Sequence, residues 1–189
     1  MRALFIVLSV FFLSQAAMAQ APSWEVDMAR SRLGFEFSQE GKLQEGHFSR
    51  FAAKIAFDPQ APEQAHVEVL VDLTSVAAGS QDANDALLGG DWFNTRKFPE
   101  ARFVSRAVTR AADGGYRMDA DLTIRDRTVR VVLPFTLAIA GDGAHARGAL
   151  SLDRLAFGLG EGIWANPKFI GLAVTVRIDL FATLKPALP

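Results

Sequence analysis

The stretch VRVVLPFTLAI, residues 129–139, decides the fold class, because apolar side chains recur at every second position along its whole length. Successive side chains of a β-strand point to opposite faces, so this alternation predicts a strand with one buried face. Asp113-Gly114-Gly115 and Gly141-Asp142-Gly143 are turn sequences typical of hairpins. Further rows of alternating apolar residues occur at 33–37, 51–57, 67–73 and 174–184. The sequence therefore predicts an all-β fold of about eight or nine antiparallel strands, arranged as a sandwich or a barrel.

The row at residues 46–58 contains one break in its parity. Phe51 and Phe57 share one face, whereas Phe48 falls on the opposite parity. A bulge near Ser49-Arg50 would return Phe48 to the same face and bend the strand, as a small closed barrel requires. Alternatively, Phe48 is an outward-facing apolar residue, and the sequence does not decide between the two.

Two stretches depart from the two-residue period. Residues 80–90 predict a short helix, with Asp82 and Asp85 as capping residues. Residues 157–168, FGLGEGIWANPK, predict a long structured loop. There is no internal repeat, low-complexity tract or linker, so residues 20–189 are predicted to form one domain with one or two short helices.

The N-terminal residues have the layout of a secretory signal. Arg2 is followed by an apolar core of 11 residues and by Ala17-Met18-Ala19, which places small residues at the recognition positions for cleavage. A membrane anchor is the weaker alternative, because a spanning helix needs roughly 20 apolar residues. We therefore expect a signal peptide over residues 1–19, cleaved after Ala19, and export of the remaining chain.

The composition excludes several classes of protein. Half of the 189 residues are apolar, which is incompatible with a disordered chain. There is no cysteine, so disulfides, thiolate metal sites and thiol nucleophiles are absent. The formal net charge is −1, or −2 once Arg2 is removed, which argues against nucleic acid as a partner and against a polybasic membrane-surface protein. Fifteen Phe against one Tyr suit either a dry core or a lipid pocket.

No motif for catalysis or metal binding is present. His47, His66 and His145 lie on separate strands or turns, without the spacing of metal ligands. Neither Gly-x-Ser-x-Gly nor His-Glu-x-x-His occurs. We therefore expect no catalytic residue, no metal and no cofactor. A group of arginines forms either a solvated outer face or, at a barrel mouth, a site for an anionic head group: Arg102, Arg106, Arg110, Arg117, Arg125, Arg127 and Arg130.

Several motifs follow one another in a fixed order. Residues 84–105, NDALLGGDWFNTRKFPEARFVS, place an acidic stretch before an Asp-Trp-Phe corner and Lys-Phe-Pro before an alternating strand. Further motifs are Trp24 with Asp27, Ser31 and Phe35; residues 46–58; residues 67–75; residues 121–124; and Arg154 with Phe157-Gly158. Together they resemble the YceI-like family over residues 24–184. Arg30 and the histidine-free stretch 41–45 stand where that family commonly has histidines, so a head-group role for such histidines is not implied here.

The resemblance implies a small periplasmic, lipocalin-like antiparallel barrel that holds a long-chain isoprenoid lipid, such as a polyprenyl phosphate or a quinone, and that is not an enzyme. Residues 157–164 are similar to a branch of the family linked with membrane cytochrome b561 proteins, so an accessory subunit of a quinone-linked redox system is the alternative. A homodimer is compatible with such a barrel. The candidate ligand-binding residues, for which ordinary core packing is the alternative, are Phe35, Phe37, Phe51, Ile55, Phe57, Val69, Val71, Trp92, Phe93, Phe103, Leu133, Phe135 and Trp164.

Overall fold

The structure, a computed structural model, describes residues 21–186, so the expected signal peptide lies outside the described residues. Its strands pair antiparallel throughout and form one sheet. The strands are β1 (Ser23–Val26), β2 (Arg32–Gln39), β3 (Lys42–Phe48), β4 (Phe51–Ala56), β5 (His66–Asp72), β6 (Val76–Ala77), β7 (Glu100–Arg110), β8 (Tyr116–Ile124), β9 (Arg127–Ala140), β10 (Gly143–Asp153) and β11 (Ile170–Leu184).

The eleven strands occupy eight positions around a closed barrel. β1 and β2 follow one another along the same edge of β11. β3 and β4 likewise lie end to end, with β3 paired to β2 and β4 paired to β1. β6 shares the position of β5 in the ring, because β5 pairs with β4 and β6 pairs with β3. The ring closes because β1 pairs with both β4 and β11. The expectation of a lipocalin-like antiparallel barrel of about eight strands is thereby confirmed.

Serine hydroxyls bridge the points where the strands are interrupted. Between β1 and β2, the Ser31 hydroxyl accepts a hydrogen bond from the Phe181 amide at 3.0 Å. Between β3 and β4, the Ser75 hydroxyl accepts a hydrogen bond from the Arg50 amide, also at 3.0 Å. Each hydroxyl satisfies a main-chain donor that would otherwise lose its ladder partner. The chain can therefore turn sharply at these points without leaving unpaired amides.

The interruption at Ser49-Arg50 decides the orientation of Phe48. The strand breaks there into β3 and β4 instead of forming a bulge within one strand. The Phe48 side chain points into the barrel, where its ring centroid lies 5.4 Å from that of Phe35 and 5.9 Å from that of Phe93. The inward orientation is therefore correct, although its cause is a strand break.

Among the described residues there is one α-helix, α1 (Gln81–Leu88), which lies between β6 and β7. Its N-terminal cap is Ser80, whose hydroxyl accepts a hydrogen bond from the Ala83 amide at 3.2 Å. The prediction that Asp82 and Asp85 cap the helix is wrong, because Asp85 accepts a hydrogen bond from the Gln81 side chain and Asp82 only contributes a negative charge to the first turn. Short 3-10 turns occur at Pro62–Gln64, Leu73–Ser75, Arg154–Phe157 and Gly162–Ala165. Over residues 21–186, no helix has both the length and the apolar character needed to cross a bilayer.

Candidate functional site

The interior of the barrel contains a cavity of about 390 Å³. This volume falls within the roughly 300–1,000 Å³ typical of small-molecule sites. The cavity forms because the inward-facing side chains do not fill the barrel, and almost every side chain that lines it is apolar. The lining includes only two residues with polar side chains, Gln39 and Arg154.

All thirteen candidate ligand-binding residues line this one cavity. Phe35 and Phe37 of β2 face it beside Phe51 and Ile55 of β4, and Trp92 and Trp164 reach it from loops. The alternation of apolar residues therefore located the inner face of each of these strands. That these side chains contact a ligand stays a prediction. The remaining candidates on the cavity wall are Phe57, Val69, Val71, Phe93, Phe103, Leu133 and Phe135.

The candidate set omitted one side of the cavity. β10 and β11 contribute a continuous row of inward-facing residues there, and α1 contributes Ala83, Ala86 and Leu87. The alternation of apolar residues over 174–184 was sufficient to predict the inner face of β11. The inner face of β10 is harder to recognise, because it includes the small residues Ala144, Ala146 and Gly148. The omitted lining residues on these two strands are Ala144, Ala146, Leu150, Leu152, Ile170, Val174, Val176, Ile178, Leu180 and Ala182.

Aromatic side chains pack against one another at the end of the barrel opposite α1. The ring centroids of Phe57 and Tyr116 are 5.3 Å apart in an edge-to-face arrangement, and those of Tyr116 and Phe135 are stacked at 5.2 Å. The Trp24 indole donates a hydrogen bond of 2.9 Å to the Phe57 carbonyl. These four buried residues join β1, β8 and β9 to the end of β4. They form an apolar floor below the cavity.

The cavity reaches the surface at the α1 end of the barrel. Of the lining residues, Gln39 and Ala86 are exposed to solvent, and both lie at this end. The half-buried Trp92 and Trp164 face one another there, with ring centroids 6.4 Å apart. We call this opening, bordered by these four residues, the mouth.

Arg154 is a buried arginine beside the mouth, with only 2% of its surface exposed. Its guanidinium carbon lies 5.4 Å from the centre of the Trp92 ring. A guanidinium has five N–H donors, and in this structure all of them are directed at main-chain carbonyls, three in the loop between β10 and β11 and two at the start of β11. The acceptors are the carbonyl oxygens of Leu159, Gly160, Trp164, Ile170 and Gly171.

These contacts make Arg154 a structural centre of the loop. Burial lowers the pKa of its guanidinium, and the charge of nearby Asp153 opposes that shift. Gly160 is required beside it, because a Cβ at this position would lie 2.7 Å from an Arg154 nitrogen and 2.8 Å from the Trp92 ring. With all five donors engaged, Arg154 has none left for a ligand in the cavity.

Four of the seven arginines singled out in the sequence, Arg102, Arg106, Arg127 and Arg130, form ion pairs, and none of the seven lines the cavity. Arg102 pairs with Glu68 at 2.8 Å, and Arg106 pairs with Asp121. Arg127 pairs with Glu161 at 2.9 Å at the edge of the loop between β10 and β11. These contacts support the interpretation that the arginines belong to a solvated outer face of the barrel. Among residues 21–186, no group of three or more His, Asp or Glu side chains could hold a metal ion.

Five carboxyls with lowered pKa values make the stability of the protein depend on pH in the acid range. In each case the main cause is a side-chain hydrogen bond to the carboxylate. The donor is an arginine for three of them, Thr74 for Asp72 and His145 for Asp179. The other three carboxyls are Glu36, Glu68 and Asp121.

A carboxyl with a lowered pKa in the folded state binds fewer protons there than in the unfolded chain, so its contribution is complete above the unfolded pKa and is lost below it. We expect the free energy of unfolding to be level above about pH 5 and to fall as the pH drops below about 4. Urea unfolding from pH 7 to pH 3 measures this, and Glu36→Gln should make the decline smaller. A stability that rises over the same interval would contradict the prediction.

Comparisons with known proteins agree with this geometry. The fold and the cavity define the class of protein: a closed, lipocalin-like antiparallel barrel around one apolar cavity. The sequence profile of the YceI-like domain matches residues 24–182. The chain therefore belongs to the YceI-like family, as its motifs predicted.

Individual relatives place the chain within that family. It is 30% identical over 124 residues to a UPF0312 protein of Photorhabdus laumondii, a match that covers 64% of each chain, which is less than two thirds of that relative's length. BcnA of Burkholderia cenocepacia has a similar structure, with a TM-score of 0.81 and 32% identity over 84% of this chain and all of that one. A polyisoprenoid-binding domain from Saccharophagus degradans, implicated in plant cell wall breakdown, has the same fold, with a TM-score of 0.66 and 18% identity over 87% of this chain and 99% of that one.

Proposed function

We propose that this protein is a periplasmic, non-enzymatic carrier that binds one long-chain isoprenoid lipid in its barrel. The observation that carries the proposal is the chemistry of the cavity, whose lining is apolar except for Gln39 at the mouth and Arg154, whose donors are all engaged. Burial of apolar surface is favourable by about 25 cal/mol per Å². A prenyl chain gains this stabilisation throughout the cavity without leaving a polar group unpaired.

Two further observations support this ligand class. The relative from Saccharophagus degradans, which shares the fold, is described as a polyisoprenoid-binding domain. The N-terminal residues have the layout of an export signal, and a prenyl lipid is insoluble in the aqueous compartment to which export would bring the protein. A carrier with an enclosed apolar cavity meets that requirement.

The cavity also defines how the ligand is oriented. A phosphate or quinone head group needs hydrogen-bond partners, and burying it without them is costly. Of the two lining residues with polar side chains, Arg154 has all its donors engaged, and Gln39 is exposed at the mouth. The tail therefore occupies the barrel and the head group stays at the mouth, so that recognition depends mainly on the tail.

Native mass spectrometry of the protein purified from a periplasm, followed by organic extraction, tests the proposal. A stoichiometric apolar adduct whose mass fits a whole number of isoprene units supports it and identifies the ligand. A protein that carries no lipid and takes up neither polyprenyl phosphate nor quinone on incubation would refute it.

Filling the cavity should abolish binding without unfolding the barrel. Ala146 of β10 faces the cavity opposite Leu137 and Leu180. In Ala146→Trp the indole occupies space that the lipid needs, so we expect affinity for a prenyl lipid to fall by about 100-fold. The measurement is quenching of tryptophan fluorescence by a quinone, or retention of radiolabelled polyprenyl phosphate.

Ala138→Trp is the matched control, because Ala138 lies on the neighbouring strand β9 and its side chain is exposed on the outside of the barrel. It should bind lipid as the unmodified protein does. Equal affinity of the two variants would show that the ligand does not occupy the cavity.

A further inference from the structure

Three apolar residues at the end of the barrel that carries the mouth are exposed to solvent. Leu43 is 66% exposed, Ile163 77% and Phe169 49%. All three lie at the α1 end of the barrel: Leu43 near the start of β3, Ile163 in the 3-10 turn Gly162–Ala165, and Phe169 immediately before β11. We call these three residues the apolar rim.

Hydrogen bonds link the main-chain segments that carry the rim. The Arg154 Nη2 nitrogen donates to the carbonyls of both Trp164 and Ile170. Ile163 and Phe169 directly precede these two residues, so the segments that carry them are held together at one nitrogen. The β2–β3 turn, which Leu43 follows, joins the same region, because the Glu40 amide donates to the Phe169 carbonyl at 2.8 Å.

The rim is continuous with the entrance to the cavity. Gln39, which borders the mouth, is paired in the β2–β3 hairpin with Lys42, the residue before Leu43. Trp164, which lines the mouth, follows Ile163. A surface that covers the rim therefore also covers the opening through which a ligand enters.

Basic residues accompany the rim. Lys42 precedes Leu43 and Lys168 precedes Phe169, and both lysines are exposed. In the described part of the chain, the ion pairs made by lysine involve Lys54 and Lys185, so the two rim lysines are not engaged. Exposed apolar side chains with flanking lysines and two tryptophans match the interfacial zone of a bilayer, where lipid phosphates lie above the acyl chains.

We propose that the apolar rim docks the barrel, mouth first, on the surface of a lipid bilayer. The docking is transient and mainly apolar, since two lysines on a chain of net negative charge do not give polybasic attachment. The inference rests on the proposed function, because a prenyl tail must pass between bilayer and cavity. With the mouth held against the membrane, the tail makes that passage without crossing water.

Co-sedimentation with protein-free vesicles of phosphatidylethanolamine and phosphatidylglycerol tests the docking. The unmodified protein should sediment with the vesicles. The triple variant Leu43→Ser, Ile163→Ser, Phe169→Ser should bind them about tenfold more weakly or less. The matched control replaces by serine three other exposed apolar residues, Met28, Ile139 and Leu184, none of which lines the cavity, and it should bind as the unmodified protein does.

A second variant separates the apolar and electrostatic parts of the surface. Lys42→Gln with Lys168→Gln should weaken binding to the anionic vesicles by roughly fivefold for each lysine. Its binding to vesicles of phosphatidylcholine should equal that of the unmodified protein. This pattern supports the rim as a bilayer surface with a basic border.

Several outcomes would overturn the proposal. Unmodified protein that stays in the supernatant excludes docking, and equal binding by the rim variant and the control excludes the rim as its cause. A dimer in size-exclusion chromatography that the rim substitutions dissociate, without vesicle binding, would assign the rim to a second copy of the chain. Binding only to membranes that contain proteins would assign it to a protein partner.

Lipid loading in detergent, without vesicles, keeps this test separate from that of the proposed function. The rim variant should still take up polyprenyl phosphate there. Vesicle binding by a protein that takes up no lipid would refute the carrier function and leave the docking surface in place.

Discussion

Replacement of Arg154 by leucine is expected to lower the free energy of unfolding by about 3 to 5 kcal/mol or to prevent folding. The guanidinium is the hydrogen-bond donor for five carbonyls, three in the loop between β10 and β11 and two at the start of β11. Leucine has no donor, and buried carbonyls left without a partner each lose the stabilisation of a hydrogen bond and keep the cost of desolvation. Urea unfolding followed by circular dichroism measures the loss.

Two comparisons separate the role of these hydrogen bonds from a general effect of losing an arginine. Arg154→Lys keeps the charge but has three donors instead of five, so it should also be strongly destabilised. Arg177→Leu removes an exposed arginine that pairs with Glu36, and its effect should be small because surface ion pairs contribute little. If the unfolding midpoints of Arg154→Leu and Arg177→Leu agree, the loop does not depend on Arg154.

The loop also gives a local readout. Trp164 lies within it and faces Trp92 across the mouth. In a variant of Arg154 that still folds, the tryptophan emission maximum should shift to longer wavelength as these two indoles become solvated. Lipid affinity should fall with it, because both side chains line the cavity.

Phe135→Asp is the second change with a large expected effect. Phe135 is buried against Phe57 and Tyr116 at the floor of the barrel. A carboxylate there has no cationic partner, and burying it is so costly that we expect a loss of at least about 4 kcal/mol in the free energy of unfolding, or no folded protein. The yield of folded protein and urea unfolding measure the outcome.

Phe135→Leu is the control for the loss of aromatic packing. It should cost less, about 1 to 2 kcal/mol, because it keeps an apolar side chain at the same place. The lipid-loaded fraction of each purified variant then gives a second readout, with Phe135→Asp empty and Phe135→Leu loaded. A folded Phe135→Asp that still carries lipid would show that residue 135 does not face the cavity.

Alternation along the chain was enough to predict the inner face of most strands. Phe35, Val69 and Phe135 all line the cavity, as their parity in the sequence indicated. The reason is physical: one face of each strand meets the apolar interior and the other meets water, so the period of two is preserved wherever a strand is regular. Alternation is a local pattern, so it can be recognised without knowing which strands pair.

Long-range contacts were not accessible in this way. Nothing in the neighbourhood of Ser75 or Ser31 shows that a hydroxyl replaces a ladder bond at a strand interruption. Similarly, Gly46 is needed because it is paired with Phe35, whose ring would lie 2.3 Å from a Cβ at that position. Such requirements appear only when the register between strands is known.

Arg154 illustrates the same limit at the candidate site. The family resemblance included it, but no local pattern indicated why an arginine is needed at that position. A signal was nevertheless present in Gly158, Gly160 and Gly162, all of which have positive φ. Glycines in left-handed conformation orient the carbonyls of a loop in ways that a regular strand does not allow. Arg154 donates hydrogen bonds to several carbonyls of that loop.

The closure of the barrel by β1 constrains the order in which the chain can fold. Trp24 pairs with Leu184 on one side and with Ile55 on the other, so the ring is completed by contact between residues that are far apart in the sequence. Contacts so distant in sequence carry a large loop-closure entropy and form late. A chain still emerging from a ribosome or a translocation channel lacks β11 and can build only an open, curved sheet. The enclosed cavity therefore comes into existence only after the last strand has been delivered.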